Sequence, residues 1–436
     1  VAPLSQRRLG VLAIGLVGVI ALTGCAGGTG SASGGEDGGD VTLRFTWWGG
    51  DLRHQMTQEV IDLFEAENPD ITIEGEPGVF DGYFDKLATQ VAAQDAPDII
   101  QMPDAYFNEY VGRGALLDLT DQDIEHADVP DAIWNTGVID GSLWGVPSGV
   151  NTHAIIANPA LFAEAGLELP DDSTWSWDDY ADLATRLSAA LPAGTYGSSA
   201  PGLDQNNFAT WLRQRGSSLF TDDGGLGFTA DEAGEFFTFI TELEESGAIP
   251  PAEIVSEKAN IALEQTGVAL GQDAMGFWAS NQLANLATVT GEDLVLLRLP
   301  TTDGVAEDGE FAISGGWYTA AATTEHPEEV ARFLEFMTNS EEAWDVLLTE
   351  RGAPPNSTIR QGLVDGGGLG VADTASIEFL NDLETVAMDP PPAVPPVGAG
   401  GFQDVLRRYT VEVVFDRLTP EAAGEQLLAE AEALIR

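Results

Sequence analysis

Cysteine is nearly absent. Cys25 is the single one among 436 residues, which excludes a disulfide framework and thiolate metal sites. Lysine is almost as rare, with only Lys86 and Lys258. Against 71 acidic residues stand 18 basic ones, a formal charge of −53. Neutralising phosphates takes clustered Lys and Arg, so nucleic acid is excluded as a partner. The same charge opposes adhesion to anionic lipid heads and suits solubility in a salty exterior. The four histidines, His54, His126, His153 and His326, are scattered without HExxH spacing, so no metal is expected. There is no GxSxG elbow and no phosphate loop: Asp365–Gly370 is Gly-rich but lacks the lysine and the preceding strand, and reads as a loop. No cofactor is implied.

What is present begins with a leader. Arg7 and Arg8 precede an apolar run, Leu9–Leu22, which ends in Thr23-Gly24-Cys25. The run is shorter than the ~20 residues that span a bilayer. It reads as a lipoprotein signal peptide over 1–24, cut before Cys25, whose thiol then carries lipid. Arg7-Arg8 leaves the export route, general or twin-arginine, open. Two or more acyl chains anchor stably where one does not. Ala26–Asp40 has no large apolar residue and reads as a flexible coil spanning on the order of 20 Å. The expected location is the outer face of the cell membrane, with a soluble, monomeric body.

That body is too long for one core, since chains beyond roughly 250–300 residues divide. Val41, Leu43, Phe45 and Trp47 alternate with Thr42, Arg44 and Thr46, a period-two strand closed by Gly49-Gly50. Met56, Val60, Ile61 and Phe64 are spaced for a helix that stops at Asn68-Pro69. A strand at Ile71–Ile73, a helix over Tyr83–Ala93 and a strand at Asp98–Met102 follow. This alternation predicts an α/β domain with a mostly parallel sheet. Gly145–Asn151 reads as a crossing into a second domain. Ser176 and Asp179 have capping-box spacing, helices are expected after His326 and over Phe402–Arg417 and Pro420–Ile435, and Pro390–Gly401 is a loop.

In such sheets ligands bind beyond the carboxyl ends of the strands. Trp48, Gly49 and Asp51 follow the first strand; Asp104 and Tyr106 follow the third. Aromatic rings cover the CH face of a pyranose. Carboxylates and amides bond its hydroxyls. Small-ligand sites join such apolar walls to a few polar groups. Trp278 and Trp317, next to Gly276 and Gly315-Gly316, and Asn151 complete the set; the glycines admit close backbone approach. Each Trp taken singly also suits a core, and Asp51 suits a helix cap. Asp51 and Asp104 as an acid–base pair would instead make an exported glycan hydrolase. Rings beside acids also attract ammonium groups, so a polyamine stays open.

An ordered set of motifs resembles the extracellular solute-binding proteins of carbohydrate ABC transporters, the maltose-binding type. Its carriers are Trp47-Trp48-Gly49-Gly50, Asn68-Pro69-Asp70-Ile71, Ala96-Pro97-Asp98-Ile99-Ile100 with Asp104, and Leu143-Trp144-Gly145-Val146-Pro147. Asn158–Leu167, Thr174–Trp177, Ala274–Trp278, Ser314–Trp317 and His326–Ala331 extend it over nearly the whole body. The resemblance implies a two-lobed, hinged, periplasmic-binding-protein-like fold, each lobe a mostly parallel sheet flanked by helices. One lobe would take 41–148 and 299–338, the other 149–298 and 339–436. A sugar or short oligosaccharide would lie between them, for delivery to a membrane permease, without catalysis. Asp51 and Asp104 resemble hydroxyl-binding carboxylates, Trp278 a stacking ring, Gly316 and Trp317 the Gly-Gly-Trp contact. Asn151 stands where some relatives place an acid. Asn206, Asn207 and the Pro390–Gly401 loop are further candidates. Ala157-Asn158-Pro159 departs from the family's Tyr-Asn-Lys.

Overall fold

Strand β1, Val41–Trp48, buries Leu43, Phe45 and Trp47 as its alternation predicts. Helix α1, Asp51–Glu67, covers it with Val60, Ile61 and Phe64 and ends at Asn68, whose side chain donates to the Phe64 carbonyl at 3.0 Å. Strand β2, Ile71–Gly78, runs parallel to β1, from Val41 opposite Ile71 to Trp48 opposite Gly78. Helix α2, Tyr83–Ala92, leads to β3, Ile99–Met102, parallel to β1 on its other side, and α3, Asp104–Gly112, follows. The computed structural model describes residues 41–80, 82–221, 223–304, 312–385, 392–393 and 395–435. The expected signal peptide, the expected lipidation site Cys25, the linker to Asp40 and part of the Pro390–Gly401 loop lie outside the described residues. Among the described residues no helix is long and apolar enough to cross a membrane.

A short hairpin, β4 Val138–Ile139 and β5 Ser142–Leu143, precedes β6, Val146–Pro147, and β7, Val150–Ala157. Later come β8 Met275–Ala279, β9 Val295–Leu297, β10 Ala312–Ser314 and β11 Trp317–Ala320. The first sheet has the order β2-β1-β3-β11-β6, with β11 antiparallel to both neighbours. The second is built on β7, buried along its whole length, which pairs with β8, β9 and β10. The α/β, two-sheet expectation holds, but neither sheet is mostly parallel: the first has two parallel and two antiparallel pairs, and every pair made by β7 is antiparallel. The physical reason is direction. Strand β7 leaves the junction between the sheets, while β8 and β10 run back to it, ending opposite His153 and Val150.

Three passes of chain form that junction. Ser148-Gly149 leads out of the first sheet and Gly315-Gly316 leads back. Ser148 N–H donates to Gly316 O at 2.9 Å and Gly315 N–H to Gly149 O at 2.8 Å. Ala353 joins them through reciprocal backbone bonds with Val150, at 2.8 and 2.9 Å. Only glycine fits at 149, where a Cβ would stand 2.3 Å from the Arg351 carbonyl oxygen, and at 316, where φ is +112° and a Cβ would meet Met102 O at 2.8 Å. Arg351 is plugged into the first half: its guanidinium donates to Gln101 Oε1 at 2.6 Å and Thr57 Oγ1 at 2.7 Å and lies over Tyr318.

The crossing expected at Gly145–Asn151 is where the chain leaves the first sheet. The breaks expected at Leu299 and Asn339 fall elsewhere. Leu299 belongs to the second core, and Thr301 exchanges backbone bonds with Trp175 and Trp177. Trp344, Leu347, Ile359 and Leu363, from helices Glu341–Leu347 and Ser357–Gly366, pack with Phe45 and Tyr318. The terminal helices, Phe402–Val414 and Pro420–Leu434, join the second core. Ser176 and Asp179 form the expected capping box, with Oγ accepting from Asp179 N–H at 3.1 Å and the carboxylate from Ser176 N–H at 2.9 Å.

Candidate ligand-binding site

Because β2 and β3 both run parallel to β1, their carboxyl ends share one rim, which holds five of the sequence candidates, Trp48, Gly49, Asp51, Asp104 and Tyr106. Trp48 is half-buried, edge-on to Phe80 at 5.6 Å and Tyr83 at 5.4 Å. Tyr106 lies flat on Phe84 at 3.8 Å, which covers one of its faces. Asp51 is exposed at the start of α1. Gly49 lies against the stem of Arg53, whose guanidinium is held by Glu350 at 2.8 Å. That pairing occupies the Arg53 guanidinium. Asp104 opens α3 and is exposed, with enough protein packed around its carboxyl to push it up to about 7.

In the second half, β8 holds Trp278 opposite Ala154 of β7. Its ring borders a cavity of about 450 Å³ that Asp204, Asn207, Lys258, Asp273 and Gln282 also line. Asn207 is fixed by its Nδ2 donating to Pro201 O at 2.9 Å; Asp204 caps helix Gln205–Arg213 by accepting from Asn206 N–H at 2.8 Å. Four buried polar atoms of residues that line this cavity have no partner within the protein: Trp278 Nε1, a donor, and the oxygens Asn207 Oδ1, Gln282 Oε1 and Asp273 Oδ1. Burial pushes the Asp273 carboxyl up to about 7, with the Lys258 ammonium pulling it down. Each orphaned buried group costs about 1–3 kcal/mol until something bonds it. Hydroxyls, which both donate and accept, are the kind of partner that such groups lack.

The sequence candidates therefore fall into groups. Trp48, Asp51, Asp104 and Tyr106 share the first rim, and Trp278 and Asn207 share the cavity. Gly316 touches Met102, two residues before Asp104, and so joins the rim to the junction. Asn151 is buried at the junction beside Gly352, with Oδ1 unpartnered. Helix α3 meets the second half where Asn108 Nδ2 donates to Pro395 O at 3.3 Å. Trp317 corrects the expectation: it is buried, stacked on Phe107 at 4.2 Å, with its indole N–H donated to Thr136 Oγ1 at 3.3 Å, so it is a core side chain. Sequence reasoning missed Asp204, Asp273, Lys258, Gln282 and Phe80. Asp204 carried an N-cap signal before Gln205-Asn206-Asn207; Asp273 carried none, because the segment it bridges, at Tyr196, is distant in sequence.

Comparison with known proteins agrees with this architecture. The chain is 28% identical to a family 1 extracellular solute-binding protein of Alicyclobacillus acidocaldarius, whose structure superposes with a TM-score of 0.77 over 91% of this chain and 99% of that one. It is 26% identical over 315 residues to the arabinooligosaccharide-binding protein of Halalkalibacterium halodurans, covering 68% of each. It shares 27% identity over 169 residues with an uncharacterized lipoprotein of Streptomyces antibioticus, 37% of this chain and 36% of that protein. The family described as bacterial extracellular solute-binding protein matches residues 49–344, and this chain belongs to it.

Proposed function

We propose that this protein is the sugar-binding component of an ABC importer, held at the outer face of the cell membrane by lipid on Cys25. It binds a sugar or short oligosaccharide between the first-sheet rim and the Trp278 cavity and hands it to a membrane permease, as a monomer and with no reaction of its own. The observation that carries the reading is one cavity lined by the Trp278 ring and by residues with unpartnered polar atoms: an indole face for the CH side of a pyranose, and one orphaned donor and three orphaned acceptor oxygens for its hydroxyls. The oligosaccharide-binding relative supports the ligand class, and the lipoprotein relative supports the anchor. Ligand would shift the equilibrium between arrangements of the two halves by its differential affinity for them. Calorimetry and thermal unfolding across a panel of mono- and oligosaccharides test this. A ligand at 100 times its Kd raises stability by about 2.7 kcal/mol. A panel that gives neither heat nor a shifted melting temperature overturns the sugar assignment.

A further inference from the structure

Eight large apolar side chains are exposed among the described residues, and three of them, Leu52, Val79 and Phe80, gather at one end of the first sheet. They are 63%, 67% and 54% exposed in a chain whose charge of −53 otherwise keeps it wet. Val79 and Phe80 directly follow β2, whose last residue, Gly78, pairs with Trp48 and accepts from Gly49 N–H at 3.0 Å; Leu52 stands in the first turn of α1. The Phe80 ring is edge-on to Trp48 at 5.6 Å and to Phe84 at 6.0 Å, so its neighbours hold it in place without covering it. Exposed apolar side chains gathered at one end of a sheet mark a surface that something covers in use.

Its place along the rim indicates what. Strand β3, which leads to Asp104, borders the junction through Met102 and Gly316; β2, which leads to Phe80, is the far edge of the sheet, with β1 between. At a strand spacing of ~5 Å, the Phe80 loop lies ~10 Å further from the junction than the Asp104 loop. A guest that bonds Asp104 and also covers Phe80 is longer than one pyranose. We propose that Phe80, with Leu52 and Val79 beside it, is an outer subsite that stacks on the apolar face of a distal sugar ring, so that the ligand is an oligosaccharide of at least three rings. This rests on the sugar-binding reading above and adds ligand length to it.

The test is calorimetry of the full chain against ladders of arabinose-, glucose- and N-acetylglucosamine-based oligosaccharides of one to five rings, with Phe80→Ala and Phe80→Tyr alongside. Wild type should tighten up to at least three rings on one ladder. Phe80→Ala should weaken the longest members about three- to tenfold, the worth of one stacked ring, and change mono- and disaccharides less than about twofold. Phe80→Tyr should keep the wild-type profile. A wild-type optimum at one or two rings, or a Phe80→Ala profile that is unchanged or displaced equally at all lengths, overturns the subsite and leaves sugar binding standing. A protein that binds no member of any ladder overturns both. Melting curves of the variants check that the exposed position leaves the fold intact.

Discussion

Asp273→Asn offers the sharpest test of the cavity's electrostatics. The carboxyl is 2% exposed, one of its oxygens has no partner, and burial raises it from an ordinary 3.8 to about 7. Between those values the folded chain keeps a proton that the unfolded chain has released. The unfolded state therefore binds fewer protons, and stability falls as pH rises through this window, with the full loss present above about 7. A shift of roughly three units at about 1.36 kcal/mol each sets a ceiling of on the order of 4 kcal/mol. Water entering the cavity lowers it, so a loss of on the order of 2–4 kcal/mol is expected. The amide of Asn has nearly the shape of the protonated acid and cannot ionise. Urea unfolding of wild type and variant from pH 4.5 to 8.5 measures the difference directly, on a scale of roughly 2–4 kcal/mol. The variant should gain on wild type steadily as pH rises and then level off. A difference that stays flat, or that moves the other way, refutes the account of a buried, weakly compensated carboxylate.

Trp278→Ala should weaken sugar binding by about tenfold by calorimetry, because the half-buried ring borders the cavity, and should also lower the melting temperature, because the ring packs on the cluster of Ile156, Val268 and Leu286; unchanged affinity with reduced stability would make it a core residue alone. Asp104→Asn should flatten the pH dependence of binding. In wild type the Asp104 carboxyl takes up a proton below about 7 and loses acceptor capacity, so affinity measured between pH 5.5 and 8 should fall toward acid by at most roughly tenfold per pH unit. Gly149→Ala drives a methyl group to 2.3 Å from the Arg351 carbonyl and should cost about 2–4 kcal/mol in denaturant unfolding; a variant as stable as wild type would show that the three-pass junction yields.

Much of the local structure was legible in the chain. Helix Asp51–Glu67 has its apolar residues at helical spacing and ends where Asn68-Pro69 stops it, and Ser176 with Asp179 caps the helix that follows them, because these features depend on neighbours a few residues away. The rim candidates were legible too, since parallel strands put their trailing loops at one end. Two tryptophans with similar Gly-rich surroundings had opposite fates. Trp278 borders a cavity, while Trp317 is stacked on Phe107 in the core. The strand that carries each was readable, but not what packs over its ring.

The sequence by itself determined the alternation of strands and helices, the crossing at Gly149, the family likeness and the acidic, thiol-poor surface, all set by spacing and composition. Tertiary structure alone decided that β7 is met from both sides by returning strands, that the chain re-enters the first sheet at Gly315-Gly316 and joins the junction again at Ala353, and that Asp273, Asn207, Gln282 and Trp278, which line one cavity, leave polar atoms unpaired. The reason is range: periodicity and capping act over a few residues, whereas desolvation and the pairing of buried polar groups depend on segments that meet only when the chain has folded.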